Sequence, residues 1–131
     1  MALTNDRNTM RRDAQVLVWP VEAATVCFAG GIACLNASGK LVPGRTTVGL
    51  NAVGCFSETV DNSTGDKSAQ VRRGCFNFNN STGADEITLA DVGAIAYIVD
   101  DERVAKTDGT GTRSKAGVIR DVDSYGVWIE F

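Results

Sequence analysis

Residues 116–131, AGVIRDVDSYGVWIEF, set two short apolar runs on either side of Asp123-Ser-Tyr-Gly126. A four-residue polar segment ending in glycine is hairpin chemistry, because glycine accepts the positive φ that tight loops require. In VWIEF, Val127, Ile129 and Phe131 fall on one face while Trp128 and Glu130 fall on the other. That two-residue alternation belongs to a strand with one buried side. The stretch therefore predicts an antiparallel pair, with the last residues inside a sheet.

The same pattern extends backwards. Helical periodicity is almost absent, and short apolar runs punctuated by Gly, Asn, Asp and Pro recur from Gln15 onward. Strands are predicted at Gln15–Val18, Thr25–Phe28, Ile32–Leu35, Thr47–Val60, Ala69–Phe78, Ile95–Val99, Val104–Lys106, Ala116–Val122 and Gly126–Phe131. Trp19-Pro20 is expected to end the first, since proline cannot donate to a ladder. Asn36-Ala-Ser-Gly39 and Pro43-Gly44 read as turns. Thr88-Leu-Ala-Asp91 carries a cap-like Thr with an acid three residues on, which predicts one helical turn before the Ile95 strand. The expected fold is mostly β: a single compact β-sandwich or barrel-like domain over residues 14–131, with at most one short helical turn. Residues 1–13, MALTNDRNTMRRD, are polar and Arg-rich and read as an extended N-terminal arm.

Composition narrows the function. A length of 131 residues, 44% apolar and 22% charged, suits one soluble domain. No apolar run is long enough to span a membrane, and residues 1–13 lack the apolar centre of a secretory signal. The expectation is synthesis in a reducing cytoplasm with no membrane partner. The net charge of −3, with basic pairs only at Arg11–Arg12 and Arg72–Arg73, lacks the dense basic face that phosphate neutralisation demands. Nucleic acid is not an expected partner. Asn62-Ser-Thr64 and Asn80-Ser-Thr82 match the glycosylation pattern but read as hairpin loops.

Histidine is absent altogether, which removes imidazole acid–base chemistry, Ser–His and Cys–His activation and imidazole metal ligation. Cys27, Cys34, Cys55 and Cys75 show no C-x-x-C spacing and read as four reduced core thiols. Asp100-Asp101-Glu102 and Asp121-Val-Asp123 are dense in carboxylate but lack the loop spacing of a calcium site, and both adjoin turns where Asp bonds locally. The Gly-x-Gly of residues 107–114 precedes a strand, so it is not a phosphate cradle. It reads as a mobile surface loop, exposing Arg113 and Lys115 to a partner. Arg72 and Arg73 are adjacent on a strand and so point to opposite faces. One of them is expected toward a packed face or in an oligomer interface, because a buried guanidinium needs a carboxylate. No nucleophile, base and orienting group assemble. The chain is expected to be no enzyme, with no metal and no cofactor.

Several strings together resemble a known family. MALTNDRNT-x-RR, LNASGKLVPG, GLNAVG, VRRGCFNF, DEITLADVGAIAYIVDDERVAKTDGTGTRSKAG and DVDSYGVWIEF are similar to small structural proteins of tailed bacteriophages, of the capsid decoration (cement) type. The similarity runs over essentially the whole chain and is most specific at residues 85–117. Met10 stands where that family would have Pro, which leaves the arm less restricted. Ala96 stands where it would have Cys, which tells against a thiol role there. The resemblance implies a virion protein on the outer surface of the capsid that stabilises the expanded head, with the major capsid protein as partner and a homotrimer as the assembly. An extended arm is then expected to reach the capsid through Thr4, Asn5, Asp6, Arg7, Asn8, Arg11 and Arg12, with Arg72 and Arg73 between copies. The alternative is another virion part, a head-fibre base or glycan-binding adhesion module.

Overall fold

A computed structural model describes residues 2–131. Strands β1 (Val16–Pro20), β3 (Ile32–Leu35), β4 (Leu41–Pro43), β5 (Asn51–Phe56) and β7 (Ser68–Arg72) form one antiparallel sheet, ordered β1-β7-β5-β3-β4. A second antiparallel sheet comprises β8 (Cys75–Phe78), β9 (Ile95–Ile98), β10 (Val104–Ala105), β11 (Lys115–Asp123) and β12 (Gly126–Glu130), ordered β10-β9-β11-β12-β8. Strands β2 (Val26–Cys27) and β6 (Val60–Asp61) make a small third sheet. The domain is mostly β with no closed barrel, in keeping with a sandwich.

The hairpin at the end of the sequence is β11–β12, closing with Asp123 opposite Gly126. Val127 and Ile129 are fully buried on one face, with Phe131 packed beside them. Trp128 lies on the other, its indole N–H donating to Asp123 Oδ2 at 2.8 Å. One extra residue, Arg120, bulges β11 against β12.

The middle of the first sheet, at β3 and β5, is covered on both sides, which explains its near-continuous apolar runs. In β3, Ile32 and Cys34 enter a core shared with Phe78, Ile98, Ile119 and Ile129 of the second sheet or its edges. The alternate residues, Ala33 and Leu35, face a second core built on Val21, Cys27, Leu41, Phe56, Ala69 and Val71. In β5, Ala52 faces the first core, whereas Val53 and Phe56 both face the second. Alternation alone would put residues 53 and 56 on opposite faces. A bulge restores it: Ala33 pairs with Gly54 and Cys34 with Ala52, leaving Val53 as the extra residue.

Several strand boundaries differ from expectation. The run 47–60 is not one strand, because the chain leaves the first sheet after Phe56 and resumes only as β6. The run 69–78 is cut at Arg73-Gly74, where Gly74 at φ +147° carries the chain from the first sheet to the second. Leu41–Pro43, which is missing from the predicted strands, is an edge strand three residues long, too short to show a period. The expected turn at Leu89–Asp91 is 3-10, with Asp91 Oδ2 accepting the Thr88 N–H at 2.8 Å, and a second 3-10 turn spans Gly83–Asp85.

Neither Asn-Ser-Thr tripeptide is a hairpin loop, since β6–β7 and β8–β9 join strands that are not neighbours. Asn62 is fully buried, its amide donating to Val21 O (2.9 Å) and Glu22 O (3.2 Å) and accepting from Lys67 N–H (2.9 Å). Asn80 similarly clasps Ile87 through both ends of its amide. Asn62→Ala leaves those buried backbone groups unpaired, and we expect it to cost about 3 kcal/mol, read as a lowered urea midpoint.

Candidate functional site

Residues 2–14 belong to no helix or strand and are exposed throughout. Thr4, Asn5, Asp6, Arg7, Asn8, Arg11 and Arg12 therefore all reach solvent, and none of the three arginines has an ion-pair partner among the described residues. Among the described residues, the segment's one hydrogen bond is at its base, where Asp13 Oδ1 accepts the Gln15 N–H at 3.2 Å. It then enters β1, the outermost strand of the first sheet.

The amide pattern of β1 follows from two bonds flanking it. Gln15 O accepts from Arg73 N–H at 2.8 Å, and Val21 N–H donates to Lys67 O at 3.0 Å. With Leu17 opposite Val71 and Trp19 opposite Ala69, the odd-numbered residues turn their backbone groups toward β7. Val16 and Val18 consequently turn theirs to the open side. This geometry corrects the expectation that Pro20 lies beyond the strand. Its missing N–H falls on the open side, where no ladder bond is lost. Val16 is 48% and Val18 63% exposed, and no residue from Val16 to Pro20 is charged.

Arg72 and Arg73 bracket this edge from both faces. Arg72 lies opposite Val16, on the face of Val18 and Gln70. Arg73 lines a groove of about 250 Å³ on the other face, with Leu17, Trp19, Val53 and Phe131. The opposite orientations are as expected, but neither guanidinium is buried. Val16, Val18 and Arg72 lie where the sheet is open to solvent, and Arg73 follows the last residue of β7. Neither has a carboxylate within ion-pair distance among the described residues.

The other sequence candidates are absorbed locally. Asp123 Oδ1 accepts the Tyr125 N–H while Oδ2 holds Trp128. Asp100 accepts the Glu102 N–H. Among the described residues no group of three or more His, Cys, Asp or Glu side chains is placed to hold a metal. Arg113 is not presented to a partner: its guanidinium pairs with Asp85 at 3.2 Å and bonds Thr107 O at 3.0 Å. Ser114 is buried, donating to Thr47 O (2.8 Å) and accepting from Leu50 N–H (3.0 Å), so the 107–114 loop is clamped at its end. Lys115 remains exposed.

Local bonding also sets the acid response. The Thr107 hydroxyl, then Arg113, lowers the Asp85 carboxyl below its usual 3.8, and the Thr88 N–H does the same for Asp91. A depressed carboxyl stabilises the fold above 3.8 and ceases to as pH falls through its lower folded value. With no histidine, we expect thermal stability to stay flat from pH 5 to 8 and to fall below about pH 4, followed by melting temperature against pH.

The cysteines divide. Burial raises the Cys27 thiol to about 11 and Cys34 to about 12, and raises Cys55 as well. Cys75 is exposed, which corrects the expectation of four core thiols; as the first residue of β8 it stands on the outer face of an edge strand. One thiol per chain should react with Ellman's reagent in the native protein and the other three only on unfolding.

What sequence reasoning missed is the open edge itself. Its signal was there in VLVWP, five uncharged residues with proline at an even position, but which edge of which sheet is open depends on long-range pairing. No protein-family model, curated protein or solved structure matches the chain.

Proposed function

We propose that the chain is a non-enzymatic virion protein that binds the outer surface of a phage capsid and stabilises the expanded head. Its partner in this reading is the major capsid protein. It is made in the bacterial cytoplasm and ends on the capsid surface as a symmetric homotrimer. The observation that carries the reading is the exposed segment 2–14 running without a break into an open, uncharged edge strand. An exposed segment whose three arginines have no ion-pair partner among the described residues is suited to order on a neighbour. The resemblance over the whole chain supplies the identity of that neighbour.

The energetics are those of a repeated weak contact. Ordering an arm costs backbone entropy, about 1–2 kcal/mol per residue, so one arm holds poorly by itself. Copies linked in a symmetric assembly bind their remaining arms at high effective concentration, and the set holds far more tightly than one. The test is co-sedimentation of the purified chain with expanded heads that lack it. Saturable binding and a higher temperature of head rupture are expected; a chain left wholly in the supernatant would count against the proposal.

A further inference from the structure

The geometry points to a specific kind of contact at β1: its open edge accepts an extended, carboxylate-bearing strand from another protein, whose acids pair with Arg72 and Arg73. The inference rests on reading the chain as a docking protein and names the surface and the chemistry of its partner.

Three features converge on that edge. The outward N–H and C=O groups of Val16 and Val18 form a ready ladder, and Pro20 limits it to one end. Soluble proteins usually guard such edges with Lys, Glu, a bulge or a covering loop. Here Val16–Pro20 carries no charge and pairs with β7 in unbroken register. Finally, two guanidinium groups flank the edge with no carboxylate in ion-pair distance among the described residues, Arg72 on the Val16 face and Arg73 on the Leu17 face, where Asp13 and Glu130 line the adjoining groove without pairing with it. A strand added beside β1 lies about 10 Å from β7, two strand spacings. An arginine and a glutamate reaching toward each other span that distance. Because successive side chains of the added strand alternate faces, neighbouring acids would meet the two arginines in turn.

Charge selects the occupant. The arm of a second copy carries Asp6 and Asp13 but also Arg7, Arg11 and Arg12, so it brings a net positive segment toward Arg72 and Arg73, on balance a like-charge encounter. The chain's other open sheet strands, β2, β4, β6, β8 and β10, carry one carboxylate between them, Asp61, which already accepts from Ser63. A copy of this chain therefore has no acidic strand to offer, and the sequence expectation of Arg72 and Arg73 between copies gives way here to a foreign strand.

The experiment uses the intact chain and two synthetic peptides, one repeating Val-Val-Glu-Glu and the other Val-Val-Lys-Lys, so that both faces of the added strand carry the charge. Binding is followed by Trp fluorescence and by amide hydrogen exchange at Val16 and Val18. The Glu peptide should bind at least about tenfold more tightly than the Lys peptide and slow exchange at both amides. Val18→Pro removes an outward donor without touching the bonds to β7 and should abolish binding. The exposed pair Arg72→Glu with Arg73→Glu should keep the fold and reverse the preference. Equal affinity for both peptides, no binding by either, or concentration-dependent self-association that Val18→Pro abolishes would each overturn the inference. Capsid co-sedimentation is scored separately. Binding to heads that survives Val18→Pro and the double charge reversal rejects the edge while leaving the proposed function standing.

Discussion

Gly54→Ala should leave the chain unfolded, or folded with a loss above about 3 kcal/mol, since a clash with backbone and a positive φ act together there. Gly54 sits at φ +151°, and a Cβ there would lie 2.2 Å from the Arg72 carbonyl oxygen and 2.9 Å from Val71 Cγ1. No rotamer relieves a clash with backbone, so β5 and β7 must separate. They separate at the bulge that lets β5 feed Ala52 to one core and Phe56 to the other, so the damage reaches both. Gly39→Ala is the matched control. Gly39 has φ +73° with nothing within 4 Å of its added Cβ, so only the backbone cost applies, about 1 kcal/mol. Urea unfolding of the two variants separates them. Equal midpoints would mean that close approach at the bulge contributes nothing.

Deleting residues 1–13 should leave the melting temperature unchanged within about 2 °C and weaken attachment to expanded heads by at least about a hundredfold. Residues 2–14 are all exposed, and among the described residues the one side-chain hydrogen bond tying their base down is that of Asp13 to Gln15. The domain therefore loses little. In the proposed symmetric assembly attachment would lose one arm from every copy, and that loss would be multiplied across the arms. A truncated chain that unfolds would make the segment structural. One that stays folded and binds heads normally would place the contact elsewhere, with the β1 edge the next surface to test.

Much of this was legible in the sequence because β structure announces itself locally. VWIEF alternates, Asp123-Ser-Tyr-Gly126 turns, and Val127 and Ile129 are buried as that pattern requires. The exposed, irregular lead was legible for the opposite reason, since MALTNDRNTMRRD offers too little apolar surface to repay its ordering. What escaped is non-local. Nothing in IACL says that its alternate residues serve two separate cores, and nothing in VRRGCF says that the chain changes sheet at Gly74. Glycine before Cys-Phe occurs twice, at Gly54 and Gly74. The first follows the bulged Val53 within β5 and the second carries the chain between sheets, a difference set by long-range pairing. Arg113 was misjudged because its partner, Asp85, lies far back in the sequence, and Pro20 because a strand-breaking residue is harmless on an open edge.

The most direct measurement is a cryo-electron reconstruction of expanded phage heads incubated with the purified chain. The expected map shows a two-sheet domain on the outer capsid surface, related by three-fold symmetry, with density for residues 2–14 continuing onto the capsid protein. A map with bare heads at saturating protein, or with the domain confined to the tail, would contradict capsid decoration.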